Sequence, residues 1–178
     1  MEKRVKTILL LRHAKSAGGD ARLTDHDRPL NGRGERAARA MARHIAKKWP
    51  RPDLILCSTA VRARQTLAPL MPLLKPPAPP IALEKGLYLA SEDALLERLR
   101  AVPDDVGTVL MIGHNEGLWH FAVELAGDGK AAPLAALRAK LPTGALVVLS
   151  TPIGHWQGLM PAGTTLAAFV KPRELPED

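Results

Sequence analysis

Thr7-Ile8-Leu9-Leu10-Leu11-Arg12-His13-Ala14-Lys15-Ser16 decides how the rest of the chain is read. The run over 7–11 is continuously apolar after its first residue, as expected of a strand buried on both faces in a parallel sheet. It breaks at once into Arg12-His13, and open parallel sheets bind ligands just outside the carboxyl ends of their strands. The same grammar recurs twice. A stretch over 53–57, apolar after Asp53, gives way to Ser58-Thr59-Ala60-Val61-Arg62, and one over 108–112, apolar after Thr108, gives way to Gly113-His114-Asn115.

Helical patterns separate these strands. Residues 31–49 read as an amphipathic helix capped by Asn31, with Ala37, Met41, Ile45 and Trp49 on one face and Arg33, Arg36, Arg43 and Lys47 on the other. Pro50 and Pro52 end it. A helix over 60–70 follows, then the stiff, donor-poor connector Pro76-Pro77-Ala78-Pro79-Pro80 and a weak strand over 81–83. Ser91 caps a further helix whose first turn carries Glu92 and Asp93, matching the helix dipole. A helix over 116–126 stops at Gly127, and strands over 145–149 and 165–170 close the sheet. Strands alternating with helices imply a three-layer α/β/α fold with a mostly parallel central sheet. No repeat or boundary divides the chain, so residues 1–178 read as one domain.

Composition narrows the classes. At 178 residues the chain can bury roughly 70% of its extended surface without a metal or disulfide. Cys57 is the only cysteine, which excludes an internal disulfide and suits a reducing compartment. The 25 Lys+Arg against 18 Asp+Glu leave a net charge of +7, so an anionic partner is expected. With 3% aromatic residues the chain lacks the stacking surfaces of single-stranded nucleic-acid binders. The apolar run near the start is too short for a signal-peptide core. Residues 141–170 hold no Asp, Glu, Lys or Arg, but their prolines and glycines make them two strands and a turn instead of a membrane span. A cytoplasmic protein with no nucleic-acid or membrane partner is the expectation.

Three strand ends therefore bring two histidines, two arginines and several hydroxyls to one edge. Guanidinium forks pair with phosphate oxygens in two-point fashion, and helix starts near Thr59 and Asn115 add N–H donors. A neutral imidazole beside a phosphoryl group is a nucleophile able to split one transfer into two steps.

On these residues the chain resembles the histidine phosphatase superfamily, which shares the phosphoglycerate mutase fold. Four segments carry the likeness: Leu11-Arg12-His13-Ala14-Lys15-Ser16, Asp25-His26-Asp27-Arg28-Pro29-Leu30-Asn31, Cys57-Ser58 with Arg62-Ala63-Arg64-Gln65-Thr66, and Gly113-His114-Asn115. In this order they are similar to the SixA-like phosphohistidine phosphatases. The resemblance implies His13 as the phosphorylated nucleophile, Arg12 and Arg62 as the phosphoryl clamp, and His114 as a stabiliser of developing charge. It implies no metal or organic cofactor, and a phosphorylated protein or small phosphate as substrate. Lys15, Ser16, Ser58 and Asn115 are candidate substrate contacts. Two positions depart from the pattern. Ala14 stands where the wider superfamily has glycine, and Glu116 stands where the branch commonly has proline; Glu116 is read as serving the helix N-terminus.

The substrate class turns on a general acid. An ester leaves as an alkoxide unless protonated, whereas the ring of a phosphohistidine can already carry a proton on its other nitrogen. Glu84, after the third strand, is the candidate acid for an ester, with pairing to Lys85 or solvent as the plain alternative. A phosphoprotein-binding module without turnover is the rival outside enzymes, and the intact His13 speaks against it. A cysteine phosphatase is excluded by spacing, because five residues must separate its cysteine from its arginine and the position that this requires is Ala63, with arginine at 62 and 64 instead. Asp25, Asp27 and Arg28 are read as a salt-bridged loop at the pocket mouth, Arg64 as pointing away, and the basic face of the first helix as solvated. His26, His44, His120 and His155 lack the partners of a zinc site.

Overall fold

A computed structural model describes residues 4–177; residues 1–3, which open the charged start of the chain, and residue 178 lie outside it. The elements run β1 (Lys6–Arg12), α1 (Gly32–Lys48), β2 (Leu54–Ser58), α2 (Val61–Leu67), β3 (Ile81–Glu84), α3 (Glu92–Arg100), β4 (Thr108–Gly113), α4 (Gly117–Leu125), β5 (Ala126–Gly129), α5 (Ala131–Ala139), β6 (Leu146–Thr151) and β7 (Thr164–Val170). The strands form one sheet in the order β3-β2-β4-β1-β6-β7-β5. β1, β2, β3 and β4 are mutually parallel neighbours, and β5 pairs parallel with β7. β6 lies antiparallel to both β1 and β7. The sheet is thus mixed, with its parallel half carrying the three strand ends singled out above.

Alternation along the strands splits the core between two faces. Ile8, Leu10, Leu56 and Met111 point to the side covered by Leu95 and Leu99 of α3, Phe121 and Leu125 of α4 and Leu137 of α5. Leu9, Leu11, Ile55, Cys57 and Ile112 point to the side covered by Met41 and Ile45 of α1 and Ala63 and Leu67 of α2. Asn31 caps α1, its side chain accepting from the Gly34 amide at 2.8 Å, and Ser91 caps α3 through the Ala94 amide. On α1 the buried stripe is Ala38, Met41, Ala42 and Ile45, with Ala37 and Trp49 at its margins. Arg33, Arg36, Arg43 and Lys47 are exposed, as the periodicity requires.

Two elements differ from the sequence expectation. Between the helix stop at Gly127 and the strand over 145–149 the sequence predicts no element, yet Ala126-Gly127-Asp128-Gly129 forms edge strand β5 and α5 follows. Neither has a sequence signature, because β5 holds two glycines and an aspartate, all poor strand formers, and Pro133 in α5 reads as a breaker. Pro133 falls in the first helical turn, where no intrahelical N–H partner is required. Glu116 occupies the N-cap position of α4 but makes no side-chain cap hydrogen bond, contrary to the capping role read from the sequence.

Candidate active site

The parallel register sets Arg12 opposite Gly113 and Cys57 opposite Ile112, so the loops after β1, β2 and β4 open onto one edge. The loop after β1 is clamped from several sides. The His13 amide donates to Gly113 O at 3.1 Å, and Gly144 N, in a left-handed turn at φ 74°, donates to His13 O at 2.9 Å. The Ala14 amide donates to Thr66 Oγ1, which itself donates to Arg62 O, tying the loop to α2. Gly34 approaches so closely that a Cβ there would sit 2.0 Å from Lys15 O. Any side chain at position 34 would push α1 off the loop.

These restraints fix the chemistry of His13. Its Nδ1 lies 2.7 Å from Ala14 O, and since a carbonyl only accepts, Nδ1 carries the proton. Nε2 then holds the lone pair and accepts from Arg62 Nε at 3.3 Å. Burial, with the charges of Arg62, Arg12 and Arg28 behind it, lowers the His13 pKa to about 4. The ring is neutral at physiological pH. His114 packs at 5.1 Å between ring centroids, and burial followed by the neighbouring His13 and Arg62 lowers its pKa to about 3. Its Nε2 lies 2.7 Å from Ser58 Oγ. Ser58 already accepts from the Ala60 amide, and His114 Nε2 is the acceptor at hand for its hydroxyl proton. With the Ser58 hydroxyl donating to Nε2, the proton of His114 sits on Nδ1.

Arg62 is buried and each of its nitrogens has a partner: Nε donates to His13 Nε2, Nη1 to Asp25 O at 2.6 Å and Nη2 to Asp25 Oδ2 at 3.0 Å. Asp25 also pairs with Arg28 at 2.7 Å and accepts the Tyr88 hydroxyl. The Tyr88 hydrogen bond, then the two arginines, hold its carboxyl far below the usual carboxylate range. Arg12 donates from Nη1 to Leu141 O at 2.9 Å, and burial with Arg62 nearby lowers its pKa.

Arg12, His13, Lys15, Ser16, Asp25, Arg28, Arg62, Leu89, His114, Asn115 and Thr143 line one cavity of about 420 Å³. Within it Arg28 donates to Ser16 Oγ at 3.2 Å. Among the described residues, the buried side-chain polar atoms without a hydrogen-bond partner are Arg12 Nε, His114 Nδ1 and Asn115 Oδ1, all on residues of this cavity. Buried orphans are rare in folded proteins, and their concentration here marks a ligand site.

Two candidate residues stand elsewhere. Glu84 does not reach the cavity: its carboxylate is gripped by Arg98 of α3 with contacts of 2.7–2.9 Å, instead of by Lys85. Ser58 is wholly buried behind His114 and orients that ring without touching the cavity. Cys57 is buried, which pushes its thiol up to about 12 and makes it inert as a nucleophile. Arg64 is turned onto Thr59 O, away from the site. Tyr88, Leu89 and Thr143 escaped the sequence reading. The one signal was that the chain's single tyrosine follows the third strand. Among the described residues no group of three or more His, Cys, Asp or Glu could hold a metal ion, and no helix is long and apolar enough to cross a membrane.

The profile of the histidine phosphatase superfamily (branch 1) matches residues 8–88. An uncharacterized Mycobacterium tuberculosis protein is 39% identical over 165 residues, 92% of this chain and 100% of that protein. The structure of a candidate phosphohistidine phosphatase SixA from Nakamurella multipartitia superposes with a TM-score of 0.82 at 32% identity, over 94% of this chain and 96% of that one. A second such SixA structure, from Agrobacterium tumefaciens, gives 0.78 at 30% identity over 93% and 97%. The chain belongs to the histidine phosphatase superfamily, with the phosphoglycerate mutase-like fold that it shares with these SixA structures.

Proposed function

We propose that this protein is a phosphatase that works through a covalent phosphohistidine on His13, with protein phosphohistidine as its substrate. The observation that carries the reading is the tautomer of His13, with Nδ1–H on Ala14 O and the Nε2 lone pair beside Arg62. A ring that stays neutral to about pH 4 is a competent nucleophile throughout the physiological range.

In the first half-reaction Nε2 attacks phosphorus as the bond to the leaving group breaks and its electron pair departs with that group. Arg62 exchanges its contact to Nε2 for a phosphoryl oxygen. Arg12 and His114 Nδ1–H meet the remaining oxygens, so three of the site's donors act where charge is spread in a loose phosphoryl transition state. Ala14 O steadies the cationic phospho-imidazole that results. Water then attacks the phosphoenzyme, returning neutral His13 and inorganic phosphate, and no metal or organic cofactor enters. The pairing of Glu84 with Arg98 favours a leaving group that needs no acid, and the kinship with SixA proteins points to the same substrate class.

The test is quenching in alkaline detergent after mixing with radiolabelled phosphohistidine protein, because acid would hydrolyse the P–N bond. An acid-labile, alkali-stable label absent from His13→Ala is expected. Saturable phosphate binding with no label and no turnover would identify a binding module instead.

A further inference from the structure

Asn115 carries an oxygen whose partner cannot be the phosphoryl group. Its Nδ2 donates to Leu141 O at 3.1 Å, which fixes the amide orientation because a carbonyl accepts only. Oδ1 is then a buried acceptor without a partner, unlike the other two orphans, Arg12 Nε and His114 Nδ1, which suit an anion as donors. An ionised phosphoryl group offers only acceptor oxygens. What Oδ1 lacks is an N–H or O–H donor, and in a phosphoryl transfer the donor arrives on the leaving group.

Resting on the phosphohistidine reading, we propose that Asn115 Oδ1 accepts a hydrogen bond from the distal N–H of the leaving imidazole and thereby selects phosphorylated nitrogen heterocycles over esters. Phosphoryl passage from one imidazole to another is nearly symmetric. The receiving ring, His13, has its distal N–H held by the carbonyl of Ala14 at 2.7 Å. The departing ring needs the same support, an oxygen acceptor that keeps its distal nitrogen protonated while the P–N bond breaks and the electron pair returns to the ring. The ring then leaves neutral, its distal proton in place, and no acid is consumed. A second cavity of about 410 Å³ shares Arg12 and Asn115 with the first and is otherwise bounded by Glu116, Trp119, Ala139, Lys140 and Leu141. Trp119, its indole N–H on Leu137 O at 2.8 Å, is the aromatic residue of that boundary. The amide oxygen donates no proton; by holding the one already on the leaving ring it removes the need for a carboxylic acid.

Two readouts test this. The first is the ratio of kcat/KM for N-phosphoimidazole to that for p-nitrophenyl phosphate, whose leaving group has no N–H. The ratio should fall about tenfold or more in Asn115→Leu, which keeps the size of the side chain but removes the acceptor. The second uses the unaltered protein: imidazole should inhibit p-nitrophenyl phosphate hydrolysis more strongly than N-methylimidazole, which lacks the N–H. An unchanged ratio in Asn115→Leu, or equal effects of the two rings, overturns the role of Asn115 while leaving the phosphatase reading intact. A wild-type protein that labels His13 from esters but never cleaves N-phosphoimidazole overturns the phosphohistidine reading and this inference together.

Discussion

Two carboxylates on this chain face opposite fates. Asp25 comes from a loop with no regular structure beyond a single 3-10 turn, yet it reaches the centre of the site and grips Arg62, Arg28 and Tyr88. Glu84 ends a strand at the sheet edge where ligands bind, yet Arg98 holds it aside. Position on a strand end is therefore not enough to make a residue functional. What decides is which cation competes for it. Around Asp25 the nearest guanidiniums belong to the site itself, whereas Glu84 meets one belonging to the helix that covers the sheet.

The comparison breaks most visibly at Arg62. Arg62→Ala removes a donor of the proposed phosphoryl clamp and at once leaves Asp25 without its buried partner. A loss in kcat/KM on the order of 10³-fold or more is expected, measured on any phosphoryl substrate. Arg62→Lys keeps the charge but not the fork that spans His13 and Asp25, and should recover only a small part of it. A loss of less than tenfold in Arg62→Ala would take the guanidinium out of the clamp.

The imidazoles should titrate far from their ordinary range. NMR titration of ring protons is expected to find His13 at about pH 4 and His114 at about pH 3, against an unperturbed 6.5. Both pKa values are depressed in the folded state, so above pH 6.5 neither ring affects stability. As the pH falls from 6.5 toward 4 the unfolded chain takes up protons that the folded one refuses, and stability declines through that window before levelling off below about 3. Midpoints near 6.5 would mean that the two rings are not desolvated among the arginines.

Asp25→Asn sharpens the contrast. The amide keeps the shape of the side chain but cancels a charge 3.0 Å from Arg62 Nη2. Arg62 loses its anchor while the cavity gains positive potential. The expected signature is a split: kcat falls about tenfold as Arg62 loses its orientation, while inorganic phosphate binds as well as before or more tightly. A purely structural role would weaken both, and no change in kcat would free Asp25 from any positioning role.

How far the site was legible follows the same physics. Arg12, His13, Arg62 and His114 could be read because each stands within a few residues of a buried apolar run, and such runs fix their own direction and register. Lys15, Ser16 and Asn115 came with them. Asp25 was legible only as a salt-bridged loop residue, because its partner Arg62 is distant in sequence and no period links the two. Ser58 was misplaced as a ligand contact, since a strand-end hydroxyl gives no hint of whether it faces the cavity or the ring behind it. Tyr88, Leu89 and Thr143 sit in irregular backbone, where pattern carries no information. In the fold, β5 and α5 were hidden by glycines and a proline that tertiary packing overrides.

The smallest effect belongs to the other carboxylate. Glu84→Gln severs a two-point ion pair in which both side chains are 27% exposed, and whose hydrogen bonds raise the Arg98 pKa. A pair so placed contributes little, so unfolding should become easier by about 0.5–1 kcal/mol, a Tm decrease of roughly 1–4 °C. Turnover of both N-phosphoimidazole and p-nitrophenyl phosphate should stay within about twofold of the unaltered protein, because no step passes a proton through Glu84. An acid working on esters predicts the reverse: ester turnover down by about 10²-fold with N-phosphoimidazole spared. That outcome would mean Arg98 surrenders the carboxylate when substrate arrives, and the two acidic residues would then differ in timing instead of in place.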